Sequence, residues 1–149
     1  MTGRQGGRVK VRTYRDLEVW QVAYALCRQV YEASRGFPKE EVYGLTAQVR
    51  HAAISVPSNI AEGMGRRSTA EFIRSLRIAY GSNSELETQL LLARDLGYIA
   101  AEDYTRLEQG AASVERMLSA LLVALQRRTQ KRTEPAPTTG LPDHRRNMQ

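Results

Sequence analysis

The sequence is almost without cysteine and histidine. Its single cysteine, Cys27, cannot form an internal disulfide, and its two histidines, His51 and His144, are too few for a zinc site. No apolar run approaches the roughly 20 residues that cross a bilayer. The basic N-terminus is not followed by an apolar stretch, whereas that of a secretory signal is. We therefore expect a cytoplasmic protein with no metal, no disulfide and no membrane partner.

Groups that carry catalysis are also scarce. The sequence has no phosphate-binding glycine loop, no dinucleotide fingerprint and no Glu-x-x-His pair of the kind that holds di-iron centres. Glu85 and Glu87 are two residues apart, so they do not face each other on a helix. These absences predict a protein that is not an enzyme and has no cofactor. An enzyme using Asn59 and Glu62 is an alternative that requires an open pocket at these residues.

Residues 1–15 contain five bases and no acid. The net charge of the whole chain is +6. Residues 129–149 have four bases against two acids, whereas residues 16–128 have thirteen bases against fourteen acids. We expect a flexible basic arm over residues 1–15, one domain over 16–128 and a disordered tail over 129–149. Basic arms on a near-neutral domain suit an anionic partner such as nucleic acid, with simple solubilising tails as the alternative.

Apolar residues recur at helical spacing in four segments, and no alternating strand pattern competes with them. Asp16 is the candidate N-cap of the first helix, and Ser68 with Glu71 has the spacing of a capping box for the third. The helices are predicted over residues 16–35, 39–65, 68–97 and 101–128. Short connections between long helices predict antiparallel neighbours, and hence an all-α, up-down-up-down four-helix bundle.

The first helix has two adjoining apolar stripes, which make its apolar face wider than one neighbouring helix covers. One stripe contains Leu17, Trp20, Tyr24, Cys27, Tyr31 and Ser34, and the other Val19, Ala23, Leu26 and Val30. Cys27 is accordingly expected to be a small core residue rather than a reactive thiol. The surplus apolar width agrees with a homo-oligomer.

Pro57 falls inside the second helical pattern. Either the helix continues through it with a kink, or it stops and restarts with Ser55 as the cap. The apolar spacing runs through Pro57 in phase, which favours the kinked, continuous helix. Gly81 of the third helix is expected to lie level with Ala52 and Ala53, where small residues would let two backbones approach closely.

Asn59 and Asn83 fall on or near the apolar stripes, where buried amides more often fix register than react. Glu62 is expected to pair with Asn59 or with a nearby arginine. The region around Gly63 is expected to end the second helix.

A run of arginines follows this helix. Arg66 and Arg67 lie at the turn before the third helix, whose N-terminus also favours anions, and Arg74 and Arg77 follow at helical spacing. They predict a positive stripe that binds phosphates, unless acids on neighbouring helices pair with them. The candidate nucleic-acid-binding residues are Arg12, Arg15, Arg66, Arg67, Arg74 and Arg77.

The chain resembles the four-helix-bundle family of the 23S ribosomal RNA intervening-sequence proteins over about residues 14–125. The segments that carry the resemblance are YRDLEVWQVAYAL, FPKEEVYGLTAQVRHAAISVPSNIAEGMGRRS and IAYGSNSELETQLLLARDLGYI. The family pattern has Pro57, Asn59, Glu62, Gly63 and Gly81 in corresponding places, with Ser82 and Glu85, and names no catalytic residue.

At fold level the resemblance extends to the accessory variability proteins of diversity-generating retroelements. That relation implies a homopentamer that works with a reverse transcriptase and nucleic acid. We therefore expect a non-enzymatic homo-oligomer that binds RNA or DNA through its phosphates, with little sequence specificity. The alternative is a protein-interaction scaffold, such as an accessory subunit of a reverse transcriptase.

Overall fold

The structure of the protein, a computed structural model, describes residues 11–133 together with Pro135 and Pro137. These residues form helices α1 (Glu18–Ser34), α2 (Leu45–Gly65), α3 (Thr69–Asp95) and α4 (Ala101–Thr133), and 3₁₀ turns at Tyr14–Asp16 and Lys39–Glu41. The described range contains no strand. Each helix packs on its two neighbours, in the closed order α1, α2, α3, α4. The predicted antiparallel four-helix bundle is thus confirmed.

The core takes one apolar face from every helix. Side chains with essentially no solvent exposure include Val49, Ile60, Leu76, Leu86, Val114 and Leu118. Burial of a side chain of this size is worth about 1.5–3 kcal/mol. In α1 the stripe that contains Val19 and Val30 faces the core, and Cys27 is buried as expected. Tyr24 and Tyr31 of the other stripe stay exposed.

The first two helices begin later than predicted because a short 3₁₀ turn precedes each of them, and an acidic side chain of that turn accepts from nearby backbone N–H groups. The Asp16 carboxylate accepts from the backbone N–H groups of Arg12 and Thr13, which leaves Leu17 as the N-cap of α1. Glu41 accepts from the backbone N–H of Leu45 at 2.8 Å. The predicted N-cap at Asp16 and the predicted start of the second helix near residue 39 are therefore wrong.

Helix α2 runs through Pro57 without interruption, and Pro57 is buried. The alternative in which Ser55 caps a restarted helix is therefore wrong. The Ser55 hydroxyl instead hydrogen-bonds the Ser82 hydroxyl of α3 at 2.8 Å. The Asn59 side-chain amide donates to the backbone oxygen of Ser55 at 2.8 Å, one turn earlier in the same helix.

The close approach of α2 and α3 lies at Gly63, not at Gly81. A Cβ placed on Gly63 would lie 2.5 Å from the Cβ of Ser75, whereas one placed on Gly81 would meet nothing within 4 Å. The predicted packing role of Gly81 is wrong because the residue faces outward. The Ser55–Ser82 contact also places Gly81 about one turn away from the predicted level of Ala52.

Helix α3 ends as the sequence predicts, whereas α4 ends later. Gly97 has a φ of +77° and donates to the backbone oxygen of Arg94, while Tyr98 donates to that of Ala93, which together close the helix end. Helix α4 continues to Thr133 instead of ending near residue 128, because the first helix-breaking residue after it is Pro135. The predicted tail is helical over 129–133. Residues 1–10 of the arm, and the tail beyond 133 apart from the two prolines, lie outside the described residues.

Candidate nucleic-acid interface

Antiparallel packing brings the starts of α1 and α3 to the same end of the bundle as the ends of α2 and α4. Residues 11–22, 58–78 and 118–133, which we call the basic end, contain ten bases and four acids. The other described residues, 23–57 and 79–117, contain seven bases and ten acids. The bases of the basic end are Arg12, Arg15, Arg66, Arg67, Arg74, Arg77, Arg127, Arg128, Lys131 and Arg132.

Among the candidate nucleic-acid-binding arginines, Arg66 is the one that forms an ion pair with an acid. Its guanidinium donates to the Glu62 carboxylate at 2.7 Å, and this contact raises the pKa of Arg66. Both side chains are more than half exposed, so solvent screens the pair and its contribution to stability is small. The predicted pairing of Glu62 with an arginine is confirmed.

Arg67 occupies the turn between α2 and α3. Its φ of +57° is the only positive φ of a non-glycine residue in the described part of the chain. A left-handed conformation costs a residue with a side chain roughly 1–2 kcal/mol. The Ser68 hydroxyl follows it and accepts from the backbone N–H of Glu71, which caps α3. The Arg67 side chain is exposed and forms no ion pair with any described residue.

Arg74 and Arg77 are exposed, but they lie on different flanks of α3 rather than in a single stripe. Arg74 borders an open groove of about 230 Å³ between α2 and α3, together with Arg66 and Asn59. Arg77 borders a groove of about 360 Å³ between α3 and α4. Within the described residues, neither arginine has an ion-pair partner.

The open groove beside Arg74 is the pocket that an enzyme using Asn59 and Glu62 would require. Both side chains already have structural partners there. The Asn59 amide donates to Ser55, and the Glu62 carboxylate accepts from Arg66. The groove, which Glu71 also lines, therefore does not offer Asn59 and Glu62 as two uncommitted groups for proton transfer.

Arg12 and Arg15 belong to the segment before α1, whose 3₁₀ turn packs on α1 and α2. Thr13 and Asp16 cap this turn reciprocally, and the backbone N–H groups of Thr13 and Arg12 lower the pKa of Asp16. The guanidinium of Arg15 lies 5.9 Å from the centre of the Tyr14 ring. The side-chain amide of Gln21 in α1 donates to the backbone oxygen of Arg15 at 2.7 Å, which ties this part of the predicted flexible arm to the bundle.

Four bases of the basic end were not among the sequence candidates: Arg127, Arg128, Lys131 and Arg132 of α4. Tyr80 donates to the Glu115 carboxylate at 2.9 Å, and Asn83 donates to the backbone oxygen of Ala111 at 2.9 Å. This register puts Arg127 level with the start of α3, so the last turns of α4 project past the bundle. The uninterrupted helix-forming sequence before Pro135 was the signal that could have located them.

The far half of the α3–α4 face is acidic. Glu87, Glu108 and Glu115 border a groove of about 420 Å³. Burial, followed by the charges of Glu115 and Glu108, raises the pKa of Glu87. Across residues 11–133, no group of three acids, histidines or cysteines is arranged to hold a metal ion. None of the helices in this range is long and apolar enough to span a bilayer.

The fold and its charge distribution define a small all-α bundle protein in which ten of the seventeen bases of residues 11–133 lie at one end. The chain belongs to the 23S rRNA-intervening sequence protein family, whose family model matches residues 15–120. This confirms the family resemblance, and the relation to accessory variability proteins stays a prediction. Of the basic end, Arg12 and the four α4 bases lie outside the matched range.

A solved structure shows the same fold. It is that of a protein of unknown function from the S23 ribosomal protein family of Bacteroides thetaiotaomicron VPI-5482. The two chains are 21% identical with a TM-score of 0.63, and the match covers 70% of this chain and 97% of that one. At this identity the likeness shows the fold alone. Among curated proteins no match was found.

Proposed function

We propose that this protein is a non-enzymatic, cytoplasmic nucleic-acid-binding protein that holds the phosphates of RNA or DNA at the basic end. The observation that carries the proposal is the gathering of ten bases against four acids at that end. Among the described residues, only Arg66 of these bases forms an ion pair. Nine cations therefore reach solvent without a carboxylate partner, and each phosphate they neutralise releases counterions.

Binding of this kind is expected to be weakly sequence-specific. Phosphate contacts fix the position of a nucleic acid but carry no sequence information. The cations come from three separate elements: the segment before α1, the α2–α3 turn with the start of α3, and the end of α4. Such a spread suits a polyanion that crosses the end of the bundle better than it suits one small anion.

Salt-dependent titration of a labelled RNA oligonucleotide tests the proposal. The variant Arg67→Gln/Arg74→Gln/Arg77→Gln removes three exposed cations of the basic end. The slope of log Kobs against log salt concentration should become shallower by about two to three, because each lost phosphate contact contributes about 0.7–0.9. Affinity should fall at least about tenfold at low salt.

The matched control is Arg28→Gln/Arg35→Gln/Arg116→Gln, which removes the same charge from exposed positions outside the basic end. Its salt slope should equal that of the parent protein. Binding that ignores salt, or an equal loss in both triple variants, would contradict the proposal.

We further propose that the protein works as a homo-oligomer, which would present several basic ends to one polyanion. The exposed aromatic residues of α1 support this part of the proposal, since Tyr24 is 48% and Tyr31 39% exposed. The pentamer and the reverse-transcriptase partner rest on the fold-level resemblance alone. If the protein is instead a scaffold, its protein partners should survive nuclease treatment in a pull-down.

A further inference from the structure

We propose that the groove between α3 and α4 at the basic end receives an unpaired nucleobase, so that the preferred ligand is single-stranded. The inference rests on the proposed function and names the kind of nucleic acid involved. The groove, which we call the base groove, has a volume of about 360 Å³. It is lined by Arg77, Tyr80, Ser119, Leu122, Val123 and Gln126.

The base groove combines an apolar floor with a cationic rim. Val123 is 46% exposed, and Tyr80 and Leu122 beside it are partly buried. Arg77 stands at the rim on α3. Arg127 follows Val123 by one helical turn on α4, so cations flank the groove on both helices.

An anionic partner with an apolar, planar group in every unit matches this combination. Single-stranded nucleic acid has such units, because its bases are unstacked and present their faces to protein side chains. In a duplex those faces are stacked inside the helix, where the base groove cannot reach them. A phosphate alone would satisfy Arg77 but leave Val123 in water.

Tyr80 is held in place from the opposite helix. Its hydroxyl donates to the Glu115 carboxylate of α4 at 2.9 Å, and this contact raises the pKa of Tyr80. The ring is therefore anchored at its far end before any ligand arrives, which lowers the entropy lost when a base packs beside it.

Gln126 supplies a polar group for the edge of a base. Its side-chain amide lines the groove and forms no hydrogen bond within the described residues. An amide carries both donors and an acceptor, so it can pair with the edge of any base. Arg77 and Gln126 thus provide the phosphate contact and the edge contact on opposite walls of one apolar groove.

The test compares three labelled ligands of equal length at one salt concentration: oligo(dT), its abasic analogue and a duplex. Oligo(dT) should bind about five- to tenfold more tightly than the abasic strand, because stacking on a side chain strengthens binding by that factor or more. The abasic strand keeps every phosphate. It should therefore still bind and still respond to Arg67→Gln/Arg74→Gln/Arg77→Gln.

Two variants test whether a difference in affinity between oligo(dT) and its abasic analogue arises at the base groove. Tyr80→Leu should lower oligo(dT) affinity to the abasic level without changing abasic binding, while Tyr104→Leu, at the far end of the α3–α4 face, should change neither. Val123→Asn changes an exposed position and should also lower oligo(dT) affinity without changing abasic binding. It provides the test if Tyr80→Leu folds poorly.

The possible failures are distinct. Equal affinity for oligo(dT) and its abasic analogue overturns the base groove but leaves phosphate binding intact. A duplex that binds as tightly as oligo(dT) also overturns it. Failure of all three ligands to bind overturns both the base groove and the proposed function.

Discussion

At the scale of single residues, two glycines of the family pattern have opposite surroundings. Gly63→Ala should destabilise the protein by about 1–3 kcal/mol, because its Cβ would lie 2.5 Å from Ser75 and the two helices would have to move apart. Gly81→Ala should stabilise it by about 0.5–1 kcal/mol, because a mid-helix glycine is replaced where nothing lies within 4 Å. Urea denaturation at one fixed protein concentration measures both.

Each variant serves as the control for the other, since each adds one methyl group to a helical glycine. Opposite signs are the expected outcome. If Gly81→Ala were less stable than the parent, the added methyl group would have to meet a neighbour. That result would indicate that another copy of the chain packs against Gly81.

Residue roles could be predicted where they depend on spacing within one helix. Glu62 and Arg66 are four residues apart, so their pairing follows from the helix itself. The role of Gly81 could not be predicted, because it depends on the register between α2 and α3. That register is seen in contacts such as the one between Ser55 and Ser82.

At the scale of elements, the acidic groove between α3 and α4 makes stability depend on pH. Burial and the charges of Glu115 and Glu108, both on α4, raise the pKa of Glu87. Tyr104 also borders this groove, whose lining contains no base. A raised carboxyl pKa means that the folded state holds the proton more tightly than the unfolded state does. The penalty is absent below the unfolded pKa and complete above the folded pKa.

Glu87→Gln should therefore increase stability at pH 7 and leave it unchanged near pH 3, below the usual glutamate pKa. The gain should be under about 1 kcal/mol, because the groove is open to solvent. Thermal unfolding across this pH range measures it. Glu32→Gln removes an equal charge from an exposed position of α1 and should show no such gain. A Glu87→Gln gain that is constant with pH would contradict the explanation.

The four helices could be predicted, but three of their ends could not. Apolar periodicity is a property of the whole segment, so it predicts that a helix exists. The starts of α1 and α2 depend instead on where Asp16 and Glu41 direct their carboxylates, and each engages a backbone N–H near its own 3₁₀ turn. The end of α4 is set by the distance to Pro135, which the compositional boundary at residue 129 did not reflect.

At the scale of the whole molecule, the topology brings bases that are dispersed in the sequence to one end of the bundle. Arg12, Arg67 and Arg128 are far apart in sequence, yet antiparallel packing places them at one end. The rest of the described chain has three more acids than bases, seven bases against ten acids. A polyanion approaching such a molecule is attracted to one end and repelled from the acidic groove. Charge counting could predict an anionic partner, but the end of the bundle at which we propose that it binds follows only from the fold.

The exposed aromatic face of α1 leads to the last prediction. Trp20 stacks on Tyr24 with their ring centres 5.0 Å apart, and Tyr24 remains 48% exposed although the core is already filled by the other stripe of α1. If this face joins two copies of the chain, Tyr24→Glu would bury an unpaired carboxylate at the contact, which is strongly unfavourable. The parent should then have a multiple of the single-chain mass in native mass measurements, and Tyr24→Glu should have the single-chain mass.

Tyr43→Glu is the matched control for this experiment, because Tyr43 is 94% exposed in the loop before α2. It introduces the same charge and should leave the assembly intact. Tyr24→Glu should also bind long RNA more weakly, since several linked basic ends become one, while each chain keeps its own phosphate contacts. A parent protein of single-chain mass, or equal dissociation of both variants, would show that α1 leaves its aromatic face in water for some other reason.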